Sequence, residues 1–218
     1  MNPQQLKRRA QIFVGYASQT AVRRACRISD KQLKLALSAE PVAPDTAQAL
    51  QELRFVQLEE QSMTVSSKGT RLRLRAMYAE GLSMATISEW DPQNKPKYLD
   101  RRRLWRYALA YEGERVNTEY HQWVRKAYES REEIEPTKMD QVCADRAASK
   151  GWFRGQDLEA DLIDMPEAWA AKILTQRVEA LTLSELRDAY VRVRAGERGQ
   201  LLTVAAHIYH EQFGEEAA

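Results

Sequence analysis

The sequence predicts an all-α, multi-helix fold, and three observations favour it. Apolar residues recur at three- and four-residue spacing along most of the 218-residue chain, as they do on the buried faces of helices. Ser29 and Thr182 are each followed three residues later by Gln or Glu, a pattern that caps helix starts. Strand-like alternation is limited to the stretch around Met63–Val65, which is too short to define a sheet.

Charge divides the chain into a basic and an acidic half. Residues 1–115 contain 20 Lys and Arg against 12 Asp and Glu, a net charge of +8, whereas residues 116–218 contain 13 against 19, a net charge of −6. This asymmetry indicates that the first half binds a polyanion, although chance variation in charge along the chain is an alternative. We therefore expect three regions: a helical bundle in 1–62, a basic helical region in 63–115 that is a candidate second nucleic-acid-binding element, and an acidic helical domain in 116–218.

Helical spacing predicts four helices around a compact core in residues 1–60. The first helix is predicted to start at Asn2-Pro3, because the missing N–H of a proline costs nothing in a first helical turn. Gln19–Ser38 then predicts two short helices joined by a tight turn at Arg27-Ile28. A fourth helix follows a proline-containing break.

The stretch Gln19–Ser38 resembles the helix-turn-helix motif of DNA-binding proteins of the phage repressor and Cro class. Its apolar residues stand where that class keeps its packing residues: Val22, Cys26, Ile28, Leu33 and Leu37. Two positions differ from the family pattern. Arg23 replaces the small residue expected where the two helices cross, and Arg27 replaces the glycine preferred in the turn, which often takes a positive φ.

The resemblance implies which side chains contact DNA. Gln19 and Thr20 would contact phosphates, and basic residues near helix ends would hold the DNA backbone. Gln can pair with adenine and Lys can donate to guanine in the major groove. The expected DNA-binding residues of this motif are Gln19, Thr20, Arg23, Arg24, Ser29, Asp30, Lys31, Gln32 and Lys34.

The second basic region, residues 63–115, contains an arginine-rich helix. Arg101, Arg102, Arg103 and Arg106 are interleaved with aromatic residues, a composition that suits phosphate contacts or stacking on unpaired bases. The alternative is that these arginines form salt bridges with the acidic half. An earlier helix, Thr70–Tyr78, is expected to place Arg71, Arg73 and Arg75 on its outer face.

The acidic region, residues 116–218, is predicted to be helical throughout. Its helices cover Thr118–Ile134, a segment starting at Thr137, and a segment that begins at the capping box of Thr182 and Glu185. Because readers of this kind usually bind two half-sites as dimers, we expect this half to form a homodimer or to bind a protein partner.

The sequence contains no motif for catalysis, a metal or a cofactor, so we expect a non-enzymatic protein. His207, His210 and Glu211 lie close together on the last predicted helix, but a metal site needs further ligands. Cys26 and Cys143 are far apart in the sequence, which favours reduced thiols over a disulfide framework.

These patterns predict a sequence-reading protein that binds double-stranded DNA, used as a transcriptional regulator of a phage or mobile element. A cytoplasmic location is expected, because no apolar run approaches the roughly 18–20 residues needed to cross a bilayer. Two alternatives stay open. One is a helical adaptor or inhibitor that binds another protein, and the other is a protein that binds RNA or single strands through exposed aromatic residues.

Overall fold

A computed structural model describes residues 2–135 and 141–214, and it confirms the all-α prediction. The described residues form thirteen α-helices and one two-stranded antiparallel ribbon. Within these same ranges, none of the helices is long and apolar enough to cross a membrane. In chain order the elements are α1 Pro3–Tyr16, α2 Gln19–Cys26, α3 Asp30–Ser38, α4 Pro44–Glu52, α5 Phe55–Glu60, β1 Thr64–Ser66, α6 Ser67–Ala79, α7 Met84–Glu89, α8 Arg101–Ala108, β2 Arg115–Asn117, α9 Thr118–Glu129, α10 Gln141–Ser149, α11 Glu167–Glu179, α12 Leu183–Arg194 and α13 Gln200–Phe213.

The first core joins α1–α5 to the ribbon. The fourth predicted helix is divided into α4 and α5, because the backbone of Leu53 and Arg54 is extended. Leu6 and Phe13 of α1 face Leu33 of α3 and Leu50 of α4, as the helical spacing predicts. Val65 and Val116, which are paired across the ribbon, close the same cluster. The ribbon lies after the boundary expected near residue 62, but its side chains complete the N-terminal core.

Each ribbon strand runs directly into a helix, and the two strand–helix units have matching geometry. The last strand residue caps the helix in both: Ser66 accepts from the Lys68 backbone N–H, and Asn117 accepts from that of Glu119. The two cap residues have nearly the same backbone angles, φ −55° and ψ 135° at Ser66 and φ −58° and ψ 135° at Asn117. The units pack against each other through α6 and α9, so α6 has neighbours on several sides.

The expectation that α6 exposes its arginines is wrong. Arg71 and Arg73 are only 5% and 6% exposed, and Arg75 is half-buried with its Nε donating to the Ala108 carbonyl. Helix α6 contacts α8, α9 and α10. These neighbours cover the side of α6 that would face solvent in an isolated helix. The partners of Arg71 and Arg73 are carboxylates of the C-terminal half, Glu167 and Asp164.

A second core lies on the other side of α6 and combines residues from both sides of the expected boundary at 115. It contains Leu74 and Met77 of α6, Leu104 of α8 and Trp123 of α9. The third cluster lies in the hairpin of α12 and α13, which packs on α11. The helix start expected at Thr137 lies outside the described residues, and α10 begins at Gln141.

Candidate nucleic-acid interface

The two helices of Gln19–Ser38 form as predicted and are joined by a three-residue turn. Arg27 takes the left-handed conformation, with φ 53° and ψ 40°, at the position where the resembling class prefers glycine. The Arg27 N–H donates to the Arg24 carbonyl and the Ile28 N–H to the Arg23 carbonyl, which satisfies the last carbonyls of α2. Arg27 therefore adopts the left-handed backbone conformation for which glycine is usually preferred.

The start of α3 is a capping box, as the sequence predicts. The Ser29 hydroxyl accepts from the Gln32 N–H at 3.2 Å, and the Gln32 Oε1 accepts from the Ser29 N–H at 2.8 Å. The Gln32 amide oxygen is therefore used by the helix start. Its NH2 group is the part left for contact with a base.

Helix α3 has a buried face and a basic outer face. Leu33 and Ala36 are buried against α1, whereas Lys31, Lys34 and Ser38 are exposed. The outer residues are spaced three and four apart, so their side chains share one side of the helix. This is the arrangement that a helix needs if it is to present side chains in a groove of DNA.

Arg23 and Asp30 connect the two helices across the turn. Arg23 Nη1 lies 3.5 Å from Asp30 Oδ1, and Lys34 Nζ lies 2.8 Å from Asp30 Oδ2. The hydrogen bond from Lys34 and the charges of both cations hold the pKa of Asp30 below its usual value. Arg23 is half-buried between the helices, and its guanidinium extends to Asp30 of α3.

The remaining predicted residues of this motif lie at the surface. Gln19, Thr20, Arg24 and Ser29 are exposed, and Gln32 is half-exposed. The Tyr16 and Ala17 carbonyls just before α2 accept hydrogen bonds from Arg115 of β2. The start of α2 is therefore fixed to the ribbon.

Helix α8 presents the second basic surface. Asp100 caps its first turn by accepting from the Arg103 N–H at 2.8 Å, and Leu104 and Ala108 are buried. This backbone hydrogen bond, together with the nearby arginine charges, lowers the pKa of the Asp100 carboxyl. The four predicted arginines, Arg101, Arg102, Arg103 and Arg106, are all exposed.

Arg103 differs from its neighbours because it is held by tyrosines. Its Nη1 donates to the Tyr120 hydroxyl at 2.7 Å, and its guanidinium lies 5.7 Å from the ring centroid of Tyr98. Tyr98 itself is 67% exposed and also lies beside the Lys97 ammonium, at 5.0 Å. Cations and an exposed aromatic ring therefore share one patch.

The alternative in which the arginine helix forms salt bridges with the acidic half receives no support from the described residues. In residues 2–135 and 141–214, the ion pairs within 4.0 Å do not involve Arg101, Arg102, Arg103 or Arg106. The acidic half pairs with α6 instead, through Arg71–Glu167 and a two-bond contact between Arg73 and Asp164 at 2.6 Å.

The structure also contains a buried polar network that the sequence did not reveal. His121 of α9 is fully buried, with Nδ1 2.9 Å from the Thr70 hydroxyl and Nε2 3.1 Å from the Tyr16 hydroxyl. Tyr16 donates to Glu59 at 2.8 Å, and Arg125 Nη1 donates to the same carboxylate at 2.7 Å. Tyr16 and His121 are 105 positions apart in sequence, so no local pattern could have indicated this contact.

Both carboxylates around His121 are held in their ionised form. Burial raises the pKa of Glu59, but hydrogen bonds and charge from His121, Tyr16 and Arg125 outweigh it and leave that pKa lowered. Asp164, 3.7 Å from His121 Nε2, behaves in the same way because Arg73 donates two hydrogen bonds to it. The network joins α1, α5, α6, α9 and the segment before α11.

The histidines of the last helix are at the surface. His207 lies 3.2 Å from Glu211, and the ring of His210 is stacked on Tyr190. Within the described residues, no group of three His, Cys, Asp or Glu side chains is placed to hold a metal ion. Neither Cys26 nor Cys143 forms a disulfide.

Comparisons with protein-family models, curated proteins and solved structures returned no match to this chain.

Proposed function

We propose that the protein binds double-stranded DNA and reads its sequence through α3. The observation that carries this proposal is the outer face of α3, where Lys31 and Lys34 are exposed while Leu33 and Ala36 anchor the helix on α1. Lysines at such positions donate to the acceptors of guanine in the major groove. Arg24 and the start of α2 would lie on phosphates.

Helix α8 would supply further affinity. Arg101, Arg102 and Arg106 are exposed and form no ion pair with a described carboxylate, so their charges are available to phosphates. Such contacts are independent of sequence and sensitive to salt. A role as a transcriptional regulator of a phage or mobile element, and a C-terminal half that forms a homodimer or binds a partner, belong to the same proposal.

Selection of bound sequences from a random duplex library tests the reading role. We expect the intact chain to enrich a defined site, and Lys34→Gln to relax the preference at one or two base pairs. The double variant Arg101→Ala, Arg102→Ala should weaken binding to all duplex sequences by about the same factor. The matched control is Lys126→Ala, Arg187→Ala, which removes two exposed cations elsewhere.

A second candidate function, binding of single strands or RNA, is favoured by one observation. Tyr98 is 67% exposed and lies beside Lys97 and Arg103, as stacking platforms for unpaired bases do. Stronger retention of a single strand than of a duplex, abolished in Tyr98→Ala, would select this function. A chain that retains neither nucleic acid at low salt would select the adaptor.

A further inference from the structure

Two neighbouring cavities meet at Lys68, away from the proposed DNA-binding residues. The first, of about 160 Å³, lies between the start of α6 and the start of α11 and is lined by Gly15, Ser67, Lys68, Arg71 and Glu167, among others. The second, of about 170 Å³, is mainly apolar, with Leu72, Leu162 and Leu174 in its wall. Lys68 and Glu167 line both cavities, so their side chains form the shared wall.

The cations in this wall have hydrogen-bond donors that the described residues do not satisfy. Lys68 is 7% exposed, and its ammonium donates to the Leu162 carbonyl at 2.6 Å. An ammonium has three N–H groups, so two of them have no acceptor among the described residues. Arg71 uses its two terminal nitrogens on the Ala110 carbonyl and Glu167, while its buried Nε has no partner in that part of the chain.

The electrostatic setting of Lys68 favours an added negative group. Glu167 is paired with Arg71, Asp164 is paired with Arg73, and Glu112 at the mouth of the first cavity is exposed to solvent. Lys68 also stands in the first turn of α6, where the helix dipole is unfavourable to a cation. Burial lowers the pKa of the Lys68 ammonium to about 8, as expected for a cation without a carboxylate in contact.

We propose that the second, mainly apolar cavity binds a small carboxylic acid with a short aliphatic chain. Its carboxylate would accept hydrogen bonds from the Lys68 ammonium, and its chain would lie against Leu72, Leu162 and Leu174. Buried, charge-assisted hydrogen bonds are the strong ones, and the apolar cavity next to them favours a carboxylate with a tail over inorganic phosphate. This cavity, of about 170 Å³, is smaller than the roughly 300–1,000 Å³ typical of sites for drug-sized ligands, which limits the acid to a short chain. This site does not depend on the proposed DNA binding.

Isothermal titration of the full chain with hexanoate, and separately with inorganic phosphate, tests the site. We expect saturable binding of hexanoate at one site, weakened about tenfold in Lys68→Met because that variant lacks the charge-assisted hydrogen bond. Ala171→Phe, an exposed position in the wall of the apolar cavity, should weaken hexanoate binding while leaving the protein folded. Lys126→Met, which removes an exposed lysine elsewhere, should bind as the unmodified chain does.

Four results would overturn the proposal. Absence of saturable hexanoate binding would show that water suffices for the Lys68 donors. Equal binding by Lys68→Met and the unmodified chain would place the acid elsewhere. Binding of phosphate without hexanoate, or hexanoate binding unaffected by Ala171→Phe, would remove the apolar cavity from the site.

Discussion

Gly69 is the residue that allows a carboxylate to lie directly on the backbone of α6. A Cβ at this position would overlap with Asp164 Oδ1, and it would approach Arg73 Nη1 to 2.8 Å. The Asp164–Arg73 pair, bound through two hydrogen bonds of 2.6 Å, therefore depends on the absence of a side chain. The glycine is needed for room rather than for backbone freedom, since Gly69 lies inside a regular helix.

Replacing this glycine tests the point. Gly69→Ala should lower the free energy of unfolding by roughly 3 kcal/mol, because separating a buried ion pair leaves charges without partners. Urea unfolding followed by circular dichroism measures the change. Gly199→Ala is the control, since Gly199 is extended at φ 170° and its nearest obstacle, Leu202 Cβ, is 3.4 Å away; we expect it to cost under about 1 kcal/mol. Equal losses in the two variants would contradict the prediction.

The same ion pair predicts how stability depends on pH. Arg73 holds the folded-state pKa of Asp164 below its unfolded value near 3.9, so the pair contributes fully above that value and its contribution disappears as pH falls through the folded pKa. Asp164→Asn should therefore be less stable by roughly 3 kcal/mol at pH 7, and the difference should shrink below about pH 4. Urea unfolding at several pH values measures it, and a constant difference across the range would count against this assignment.

At the scale of elements, the sequence predicted the helices and their caps better than it predicted which helix faces are buried. The capping boxes of α3 and α12 form as expected, with Thr182 and Glu185 bonded to each other's backbone, because such caps involve residues three positions apart. The burial of Arg71 and Arg73 could not be predicted from α6 alone. Their partners lie more than 90 positions away in sequence. The spacing of apolar residues in one helix does not show how many sides of that helix are covered by other helices.

Helix α8 supports a prediction about salt. Removing one phosphate-binding cation should reduce the slope of log K against log salt by about 0.9, so Arg101→Ala, Arg102→Ala should flatten it by up to roughly 1.8. Filter binding to one duplex at several salt concentrations measures the slope. Lys126→Ala, Arg187→Ala removes the same charge from other exposed sites and should leave the slope unchanged. If both variants behave alike, only net charge matters and α8 is not in the interface.

At the scale of the whole molecule, the charge asymmetry has a structural role that the sequence did not specify. Carboxylates of the acidic half neutralise buried arginines of α6, while the arginines of α8 stay exposed. The network around His121 adds a second connection, from Tyr16 of α1 to α6 and α9. The sequence indicates the net charges but does not assign the pairs, because pairing depends on the tertiary arrangement.

These connections predict that the two cores unfold together. All five tryptophans lie between residues 90 and 169, so their fluorescence reports on the later part of the chain. Cys26, half-buried in α2, reports on the first core through its reaction with a thiol reagent, measured in Cys143→Ala so that it is the one thiol present. The two urea transitions should coincide. Reaction of Cys26 at clearly lower urea would show that α1–α5 unfolds on its own.

The Tyr16 hydroxyl has only one proton, and this gives the buried network a direction. Glu59 is ionised and can only accept, so the Tyr16 proton points to it at 2.8 Å. The Tyr16 oxygen can then only accept from His121, which places a proton on Nε2. Of the two neutral tautomers, the one that fits this arrangement has Nδ1 as the acceptor of a hydrogen bond from the Thr70 hydroxyl. The packing of four helices thus orients a single imidazole through both of its ring nitrogens.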